Sequence, residues 1–475
     1  MKNQSLNNKN MDVKMEVLGL VNKVCGGLQI DISVCKGNVA NGFFNESSLC
    51  DHNCRIFSDF KNKKTKTGNY ECPSALTKHQ GLKLNTIAPS HLLIKGINKV
   101  SDGIRMANQS ILKSTWLKKY YGDNNIPLEV QKIIESMLKG TTVEVNLFGG
   151  NPELHPKITD IIKKLKEKGF IINFTTTGFR FMRDPKFLSE IVANPPHLVA
   201  LSTDDFKSVS QVKKLAKLTR DEIKNIRMKT PMVYGQLCKA YEAVYVGKLS
   251  EEIENFPRFL FNLVVHPGNI GYIEELITCF RKTFPKAIVN PYLAQSSFSE
   301  GKPVFQKKHL PLLEKFIDNR IREHLDVAPG VVRRVHYYFM LKAVFETYRK
   351  NPAKLLKRLA GYDVWKCYTI PAASRYVKVG ASPSDHKADQ IAGGHLACFW
   401  NPTVITNEDQ VWNMKTNKIA DYILGDITKQ ALINKQVCPG CIMPRLNFDQ
   451  LSLELGMNPE IKPKYLKLRK HYIGF

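Results

Sequence analysis

The stretch Leu147-Phe148-Gly149-Gly150-Asn151-Pro152-Glu153-Leu154-His155-Pro156 decides the fold predicted for this chain. It follows a strand-like apolar run at 143–148 and precedes an amphipathic helical pattern at 158–165. Two glycines at the end of a strand let a ligand approach the backbone closely, and the proline favours a turn into the next helix. Ligands of parallel α/β sheets bind at this end of the strands. The stretch therefore predicts a strand, a binding loop and a helix.

The residues on both sides repeat this alternation of strand and helix. Apolar runs predict six strands, at 91–97, 143–148, 170–176, 197–203, 259–265 and 287–293. Amphipathic patterns predict helices between them, at 128–138, 158–165 and 273–280. Such alternation is typical of βαβ units, so we expect an α/β fold built on a parallel sheet.

Composition narrows the class of protein. The chain has 475 residues, of which 43% are hydrophobic and 24% charged, which is typical of a globular protein. No apolar run approaches the roughly 18 residues of a membrane span. The polar N-terminal residues lack the apolar core of a secretory signal. We therefore expect no membrane association and a cytoplasmic location.

The net charge of +27 predicts an anionic partner. An acidic peptide or protein would be attracted by this charge, and so would nucleic acid. Nucleic acid is the less favoured of the two, because the lysines are spread over helix faces such as the one carrying Lys163, Lys164 and Lys168.

Eleven cysteines in such a chain point to thiolate or metal chemistry rather than to disulfides. Nine of them fall into two groups that lie near opposite ends of the chain, and only Cys238 and Cys279 lie between. The N-terminal group is Cys25, Cys35, Cys50, Cys54 and Cys72, and the C-terminal group is Cys367, Cys398, Cys438 and Cys441. The N-terminal group lies in an irregular segment at 1–90, which we expect to be a separate module.

The Gly-Gly-Asn-Pro stretch resembles the Gly-Gly-Glu-Pro motif of radical S-adenosylmethionine enzymes. Polar residues after the next three predicted strands match the family in order. The resemblance implies a partial (β/α)6 TIM-like barrel at 91–305. It also implies that S-adenosyl-L-methionine is bound by Gly149, Gly150, Asn151, Pro152, Glu153, Thr177, Gly178, Ser202, Asp204 and Asn269. Asn151 replaces the family's glutamate, which removes the charge-assisted part of one hydrogen bond to the cosubstrate.

The family's radical-initiating [4Fe-4S] cluster is held by a Cys-x3-Cys-x2-Cys loop after the first strand. Val100, Ile104 and Ala107 stand at this spacing after the run at 91–97, so that no cluster is expected at that place. Cys35, Cys50 and Cys54 are an alternative ligand set with a long insertion. Together with Cys72 they are equally compatible with a four-thiolate zinc or iron–sulfur site, or they are reduced, buried thiols.

The C-terminal cysteines resemble those of the SPASM or twitch extension of peptide-modifying radical enzymes. Cys438-Pro439-Gly440-Cys441 is a turn on which two thiolates can converge. With Cys398 and Cys367 it predicts one auxiliary [4Fe-4S] cluster, ahead of zinc, in a domain at 361–475. A helical linker at 306–360 is expected to connect this domain to the barrel.

The resemblance implies a maturase of a ribosomally made peptide, recognised through an acidic precursor or leader of the nitrile-hydratase-like kind. Two alternatives stay open: a non-catalytic relative that binds a peptide or a partner enzyme, and a radical enzyme that modifies RNA. With the ligands at 100, 104 and 107 missing, reconstituted protein is expected to hold about four iron atoms at the C-terminal site and to make no 5′-deoxyadenosine. Cysteines restored at Val100, Ile104 and Ala107 are then expected to add another cluster.

Overall fold

A computed structural model describes the chain in separate ranges. Together with isolated positions between them, these ranges are 24–31, 90–123, 142–148, 152–203, 208–229, 236–294, 303–326, 332–360, 376–381, 391–396, 412–413 and 456–473.

The fold is organised around a nine-stranded sheet. Its strands are β1 (Val24–Asp31), β2 (Thr142–Phe148), β3 (Ile171–Thr176), β4 (Leu198–Ser202), β5 (Phe259–Val265), β6 (Ile288–Leu293), β7 (Tyr376–Ala381), β8 (Ile391–Leu396) and β9 (Trp412–Asn413). The spatial order is β6-β5-β4-β3-β2-β1-β7-β8-β9. All pairs from β6 to β7 are parallel, whereas β8 and β9 are added antiparallel. The predicted α/β fold with a parallel sheet is confirmed.

Helices follow most of the strands. They are α1 (Ser90–Lys113), α2 (Thr115–Asp123), α3 (Ile158–Glu167), α4 (Phe179–Arg183), α5 (Pro185–Ala193), α6 (Val209–Lys217), α7 (Arg220–Lys229), α8 (Gln236–Glu252), α9 (Ile273–Thr283), α10 (Leu310–Asp326), α11 (Val332–Tyr348), α12 (Pro352–Leu359) and α13 (Lys462–Ile473). None of the helices in the described ranges combines the length and the apolar character needed to cross a membrane.

The first predicted strand, at 91–97, is wrong, because this run lies in helix α1. Leu93, Ile97 and Ser101 are fully buried at a spacing of four residues, and Asn108 continues the same face of the helix. Two polar residues in a buried stripe hide its helical period, and the short apolar run at its start reads equally well as a strand. Strand β1, at Val24–Asp31, takes the place beside β2 that was predicted for this run.

Val100, Ile104 and Ala107 consequently lie within α1 rather than in a loop after a strand. This corrects the predicted position of the cluster loop. Helix α1 packs on β1, β7 and β8 and on helix α3, so that it belongs to the crossover between β1 and β2. The expectation that the radical-initiating cluster lacks its ligands assumed that residues 100–107 follow the first strand, and this assumption is wrong.

The sequential strand order determines where the helices lie. Because crossovers between parallel strands are right-handed, an order running from β1 to β6 puts the connecting helices on one face of the sheet. On that face Val145, Ile172 and Phe174 are fully buried in the same hydrophobic core as Ile158 and Ile161 of α3. The other face carries partly exposed side chains, for example in the alternating burial of β3.

The terminal segments both contribute to this sheet. β1 comes from residues 1–90, and β7 to β9 come from 361–475. The last helix, α13, packs on α11, which in turn packs on α10 and α12.

Candidate functional site

The candidate site lies at the edge of the sheet where the parallel strands end. Asp31, the last residue of β1, is the register partner of Phe148, the last residue of β2. Thr176, at the end of β3, pairs with Leu201 near the end of β4. The loops after β1, β2, β3 and β4 therefore leave the sheet at the same edge, where ligands of parallel sheets bind.

Glu153 connects the loops that follow β2 and β3. It lies in a short 3-10 helix at Pro152–Leu154 and has no exposed surface. Its Oε1 accepts hydrogen bonds from Thr177 Oγ1 at 2.8 Å and from the backbone N–H of Phe179 at 3.0 Å. Arg180 Nη1 donates to the backbone oxygens of Glu153 and His155, at 3.0 and 3.2 Å. The predicted cosubstrate residues Glu153 and Thr177 are thus in direct contact.

Gly178 lets the chain turn sharply after β3. Its φ is +91°, a region that side chains disfavour. A Cβ at this position would lie 2.8 Å from Leu201 Cδ1 and 2.9 Å from Val246 Cγ2. The loop after β3 is therefore pressed against β4 and α8, which positions Thr177 at the edge of the sheet.

The ends of β4 and β5 are tied together beside this loop. Ser202 is half-buried at the last position of β4. The next residue, Thr203, donates from Oγ1 to the backbone oxygen of Asn262 at 2.6 Å. Asn269 is buried and closes the loop after β5, because its Oδ1 accepts from His266 N and its Nδ2 donates to Val264 O, both at 2.8 Å. The carboxamide of Asn269 shapes this loop.

Buried charges lie next to the loop after β3. Arg227 of α7 and Glu242 of α8 form an ion pair with 3.0 Å between Nε and Oε1, and both side chains are almost completely buried. The guanidinium groups of Arg183 and Arg227 lie 4.2 and 5.3 Å from the ring centre of Phe179. Burial lowers the pKa of Arg183, and the neighbouring Arg227 lowers it further.

Asp184 caps helix α5 next to this cluster. Its Oδ1 accepts from Phe187 N at 3.0 Å, and its Oδ2 accepts from Arg180 Nε at 2.9 Å. Burial alone would raise the pKa of Asp184, but the bond from Phe187 and the Arg180 guanidinium outweigh it and hold the pKa below its usual value. Arg180 thereby links the loops after β2 and β3 to helix α5.

The structure brings some of the predicted site residues together and leaves others undescribed. Pro152, Glu153, Thr177, Gly178 and Ser202 lie at the common edge of the sheet, and Asn269 follows β5 there. Outside the described residues are Gly149, Gly150, Asn151, Asp204 and the predicted metal ligands Cys35, Cys50, Cys54, Cys72, Cys367, Cys398, Cys438 and Cys441. Within the described part of the chain, no three His, Cys, Asp or Glu side chains converge as a metal site.

Sequence reasoning missed the roles of Arg180, Arg227 and Glu242. Their partners lie on separate elements, so that no local pattern marks them; only Asp184 followed by a proline is a recognisable start of a helix. In comparisons with known proteins, no protein-family model matches the chain and no curated protein matches it.

Proposed function

We propose that this chain is an S-adenosylmethionine-dependent radical enzyme that modifies a ribosomally made peptide, with its radical-initiating cluster on Cys35, Cys50 and Cys54. The observation that carries the proposal is the place of β1. This strand is the parallel neighbour of β2 and ends level with Phe148, directly before Gly149. The loop after the first strand, where the resembling family holds its cluster, is therefore the loop that leads to Cys35.

The N-terminal cysteines fit this role because thiolates bind iron–sulfur clusters and because Cys35 is close in sequence to the end of β1. Cys35 follows the end of β1 by only four residues, a length of chain that spans at most about 14 Å. Thiolates are the ligands that [4Fe-4S] clusters require, and three of them leave one iron open for a cosubstrate. When bound, the cluster supplies the electron that cleaves S-adenosylmethionine and so starts hydrogen abstraction from the substrate.

The described residues of this edge would hold the cosubstrate. Glu153 keeps Thr177 and the turn at Gly178 in one arrangement, and Ser202 presents a hydroxyl at the end of the next strand. The hydroxyl groups of Thr177 and Ser202 are neutral donors and acceptors that suit a ribose and an amino acid. The sequential strand order supports a partial (β/α)6 barrel, since such a sheet has all its helices on one side.

The C-terminal cysteines would form a separate, SPASM-like site. Cys398 follows β8 by two residues, and the end of β8 pairs with the start of β7. This end of β8 lies at the edge of the sheet opposite to the one where β2 ends at Phe148. We therefore expect substitutions of the C-terminal cysteines to remove the auxiliary cluster without removing the N-terminal one, and the reverse for the N-terminal cysteines.

Anaerobic reconstitution with iron and sulfide tests the proposal. We expect wild-type protein to form 5′-deoxyadenosine with S-adenosylmethionine and dithionite. Replacement of Cys35, Cys50 and Cys54 by alanine should abolish this product and remove about four iron atoms per chain. Cys279→Ala, at a buried thiol of α9, is the matched control and should change neither.

The variants also separate the alternatives. Alanine at Cys438 and Cys441 should remove iron without removing the N-terminal cluster. Cysteines introduced at Val100, Ile104 and Ala107 of α1 should leave the yield of deoxyadenosine unchanged. Wild-type protein that makes no deoxyadenosine although its N-terminal cysteines bind iron would favour the non-catalytic relative, and zinc at these cysteines would overturn the proposal.

A further inference from the structure

Helix α13 has the largest excess of positive charge among the helices that the structure describes. Five of its 12 residues are lysine or arginine, and none is aspartate or glutamate. Tyr465 and Leu468 are its buried residues, and the helix packs on α11. Lys464, Lys467 and Lys470 are exposed and recur every three residues, so that they share one side of the helix. We call these three residues the lysine face.

The protein itself does not neutralise the lysine face. None of the ion pairs in the described ranges includes one of its lysines. The neighbouring helix α12 differs, because Lys354 lies 3.0 Å from Glu460 and Arg358 lies 2.6 Å from Asp363. The charge of the lysine face is therefore available to a partner of opposite charge.

The lysine face is remote from the candidate site. Helix α13 packs on α11, and Tyr338 of α11 donates to the backbone oxygen of Pro291 in β6 at 3.2 Å. Strand β6 lies four strands away from β2, after which Glu153 follows, and this is about 19 Å across the sheet. A ligand on the lysine face therefore leaves the loops around Glu153 accessible.

The chemistry of the lysine face favours carboxylates over nucleic acid. Surfaces that bind single-stranded RNA combine cations with aromatic rings on which bases stack, and arginine is the residue that pairs with phosphate through two bonds. On α13, Arg469 is half-buried and lies near His336, and Tyr472 already stacks on Phe339 with 5.6 Å between the ring centres. The exposed lysines are separate point charges, which suit single carboxylates.

The spacing of the lysines favours a helical partner. Successive members of the lysine face are three residues apart, which is about 4.5 Å along the helix axis. Glutamates three residues apart on a second helix rise by the same distance. In an extended peptide, side chains on one side are about 6.7 Å apart, which fits the lysines less well.

We propose that the lysine face binds a helical, glutamate- or aspartate-rich segment of the substrate peptide and anchors it away from the candidate site. Naming the substrate as the carrier of this segment rests on the proposed function. The binding of an acidic helix rests on α13 alone. Since exposed charges are screened beyond about 8 Å at physiological ionic strength, the affinity should fall as salt is added.

Fluorescence anisotropy of full-length protein tests this inference. The probe is a fluorescein-labelled, capped peptide of five Glu-Ala-Ala repeats, titrated at physiological ionic strength without iron, S-adenosylmethionine or reductant. We expect saturable binding to the wild type. The triple variant Lys464→Glu, Lys467→Glu, Lys470→Glu should weaken the dissociation constant about tenfold or more, because three attractions become repulsions.

A matched control separates the lysine face from the overall charge of the protein. The triple variant Lys163→Glu, Lys164→Glu, Lys168→Glu changes the net charge by the same amount at exposed positions of and directly after α3, a helix that also carries Asp160 and Glu167. Because distant charges are screened, it should change the dissociation constant less than about twofold. A peptide of five Glu-Ala-Pro repeats has the same charges but cannot form a helix, and it should bind the wild type more weakly.

Four results would overturn the inference. These are absence of saturable binding, equal losses in the two triple variants, equal affinity for the proline-containing peptide, and an oligouridylate with five phosphates that binds more tightly than the peptide and depends on the lysine face. Should the lysine-face variant lose its native circular dichroism, glutamine at the same positions takes its place and is compared with glutamine at the α3 positions.

The titration involves no cluster chemistry, so that its failure is distinguishable from a failure of the proposed function. Wild-type protein that binds the peptide but makes no deoxyadenosine contradicts the proposed function alone. Wild-type protein that makes deoxyadenosine but does not bind the peptide contradicts only the role of the lysine face.

Discussion

Glu153 is a fully buried carboxylate whose bonds join two loops at the edge of the sheet. Glu153→Ala leaves the Thr177 hydroxyl and the Phe179 N–H without this acceptor. Since each unsatisfied buried group costs about 1–3 kcal/mol, we expect these two to lower the free energy of unfolding by about 2–6 kcal/mol. Urea denaturation measures this. Glu153→Gln keeps an acceptor oxygen and should lose less; equal losses in both variants would contradict the role assigned to Oε1.

Breaking the ion pair of Arg227 and Glu242 is expected to lower the free energy of unfolding strongly, because both side chains are buried. Arg227→Met leaves the Glu242 carboxylate without its counter-ion, which should lower the free energy of unfolding by about 3–5 kcal/mol. The double variant Arg227→Met, Glu242→Leu should recover much of this loss, since both charges are then removed.

Arg220 and Glu252 provide the matched control, because they join the same two helices at 2.6 Å but are substantially exposed. Arg220→Met should cost no more than about 1 kcal/mol. Urea denaturation of all three variants compares the pairs directly. A loss in Arg227→Met no larger than in Arg220→Met would show that burial does not govern this pair.

At the scale of elements, strands β2 to β6 were predicted to within one residue at each end, and the helices at 158–165 and 273–280 are confirmed in α3 and α9. These segments have long apolar runs or clear helical periods. Strand β1 was missed because Val24–Asp31 contains two glycines and a cysteine and shows no regular alternation. Helix α1 was mistaken for a strand because Ser101 and Asn108 interrupt its apolar stripe.

The candidate site was predictable to a similar extent. Glycine and small polar residues directly after apolar runs marked the edge of the sheet, and Glu153, Thr177 and Ser202 do lie there. The contacts between these residues were not predictable, because a hydrogen bond between loops depends on how neighbouring strands are paired. The same holds for Arg227 and Glu242, whose burial follows from the packing of α7 on α8.

Helix α13 is held against α11 by a buried histidine. His336 Nδ1 and Tyr465 Oη lie 3.0 Å apart, and both side chains are buried. Burial, and to a smaller extent Arg469, lowers the pKa of His336 from 6.5 to about 3. Because the unfolded chain then binds more protons between these two pH values, stability is lost as the pH falls from about 6.5 towards 3.

We therefore expect the free energy of unfolding to fall below pH 6.5 by up to about 1.4 kcal/mol per pH unit through this residue. His336→Gln should flatten this part of the pH profile, as measured by urea denaturation between pH 4 and 7. The control is His471→Gln, on the exposed side of α13, which should keep the wild-type slope. An unchanged slope in His336→Gln would assign the acid sensitivity to other groups.

At the scale of the whole molecule, β1 is the strand that joins the N- and C-terminal parts of the sheet. It lies between β2 and β7, so its removal leaves two strands with unpaired backbone groups. Such edges pair with other chains. A chain lacking residues 1–31 should therefore form large aggregates in size-exclusion chromatography. A chain lacking residues 1–20 keeps β1 and should elute like the full-length protein; identical elution of both shortened chains would contradict this role.

The place of β1 also has a consequence for biosynthesis. During translation this strand leaves the ribosome about 110 residues before β2, which at 5–20 residues per second is a delay of about 6–22 s. Its second neighbour, β7, is made later still. In the nascent chain β1 therefore has no neighbouring strand until β2 is made, and one of its edges stays open until β7 is made. We expect chaperones that bind emerging polypeptides to raise the yield of native protein more than additives that act after release.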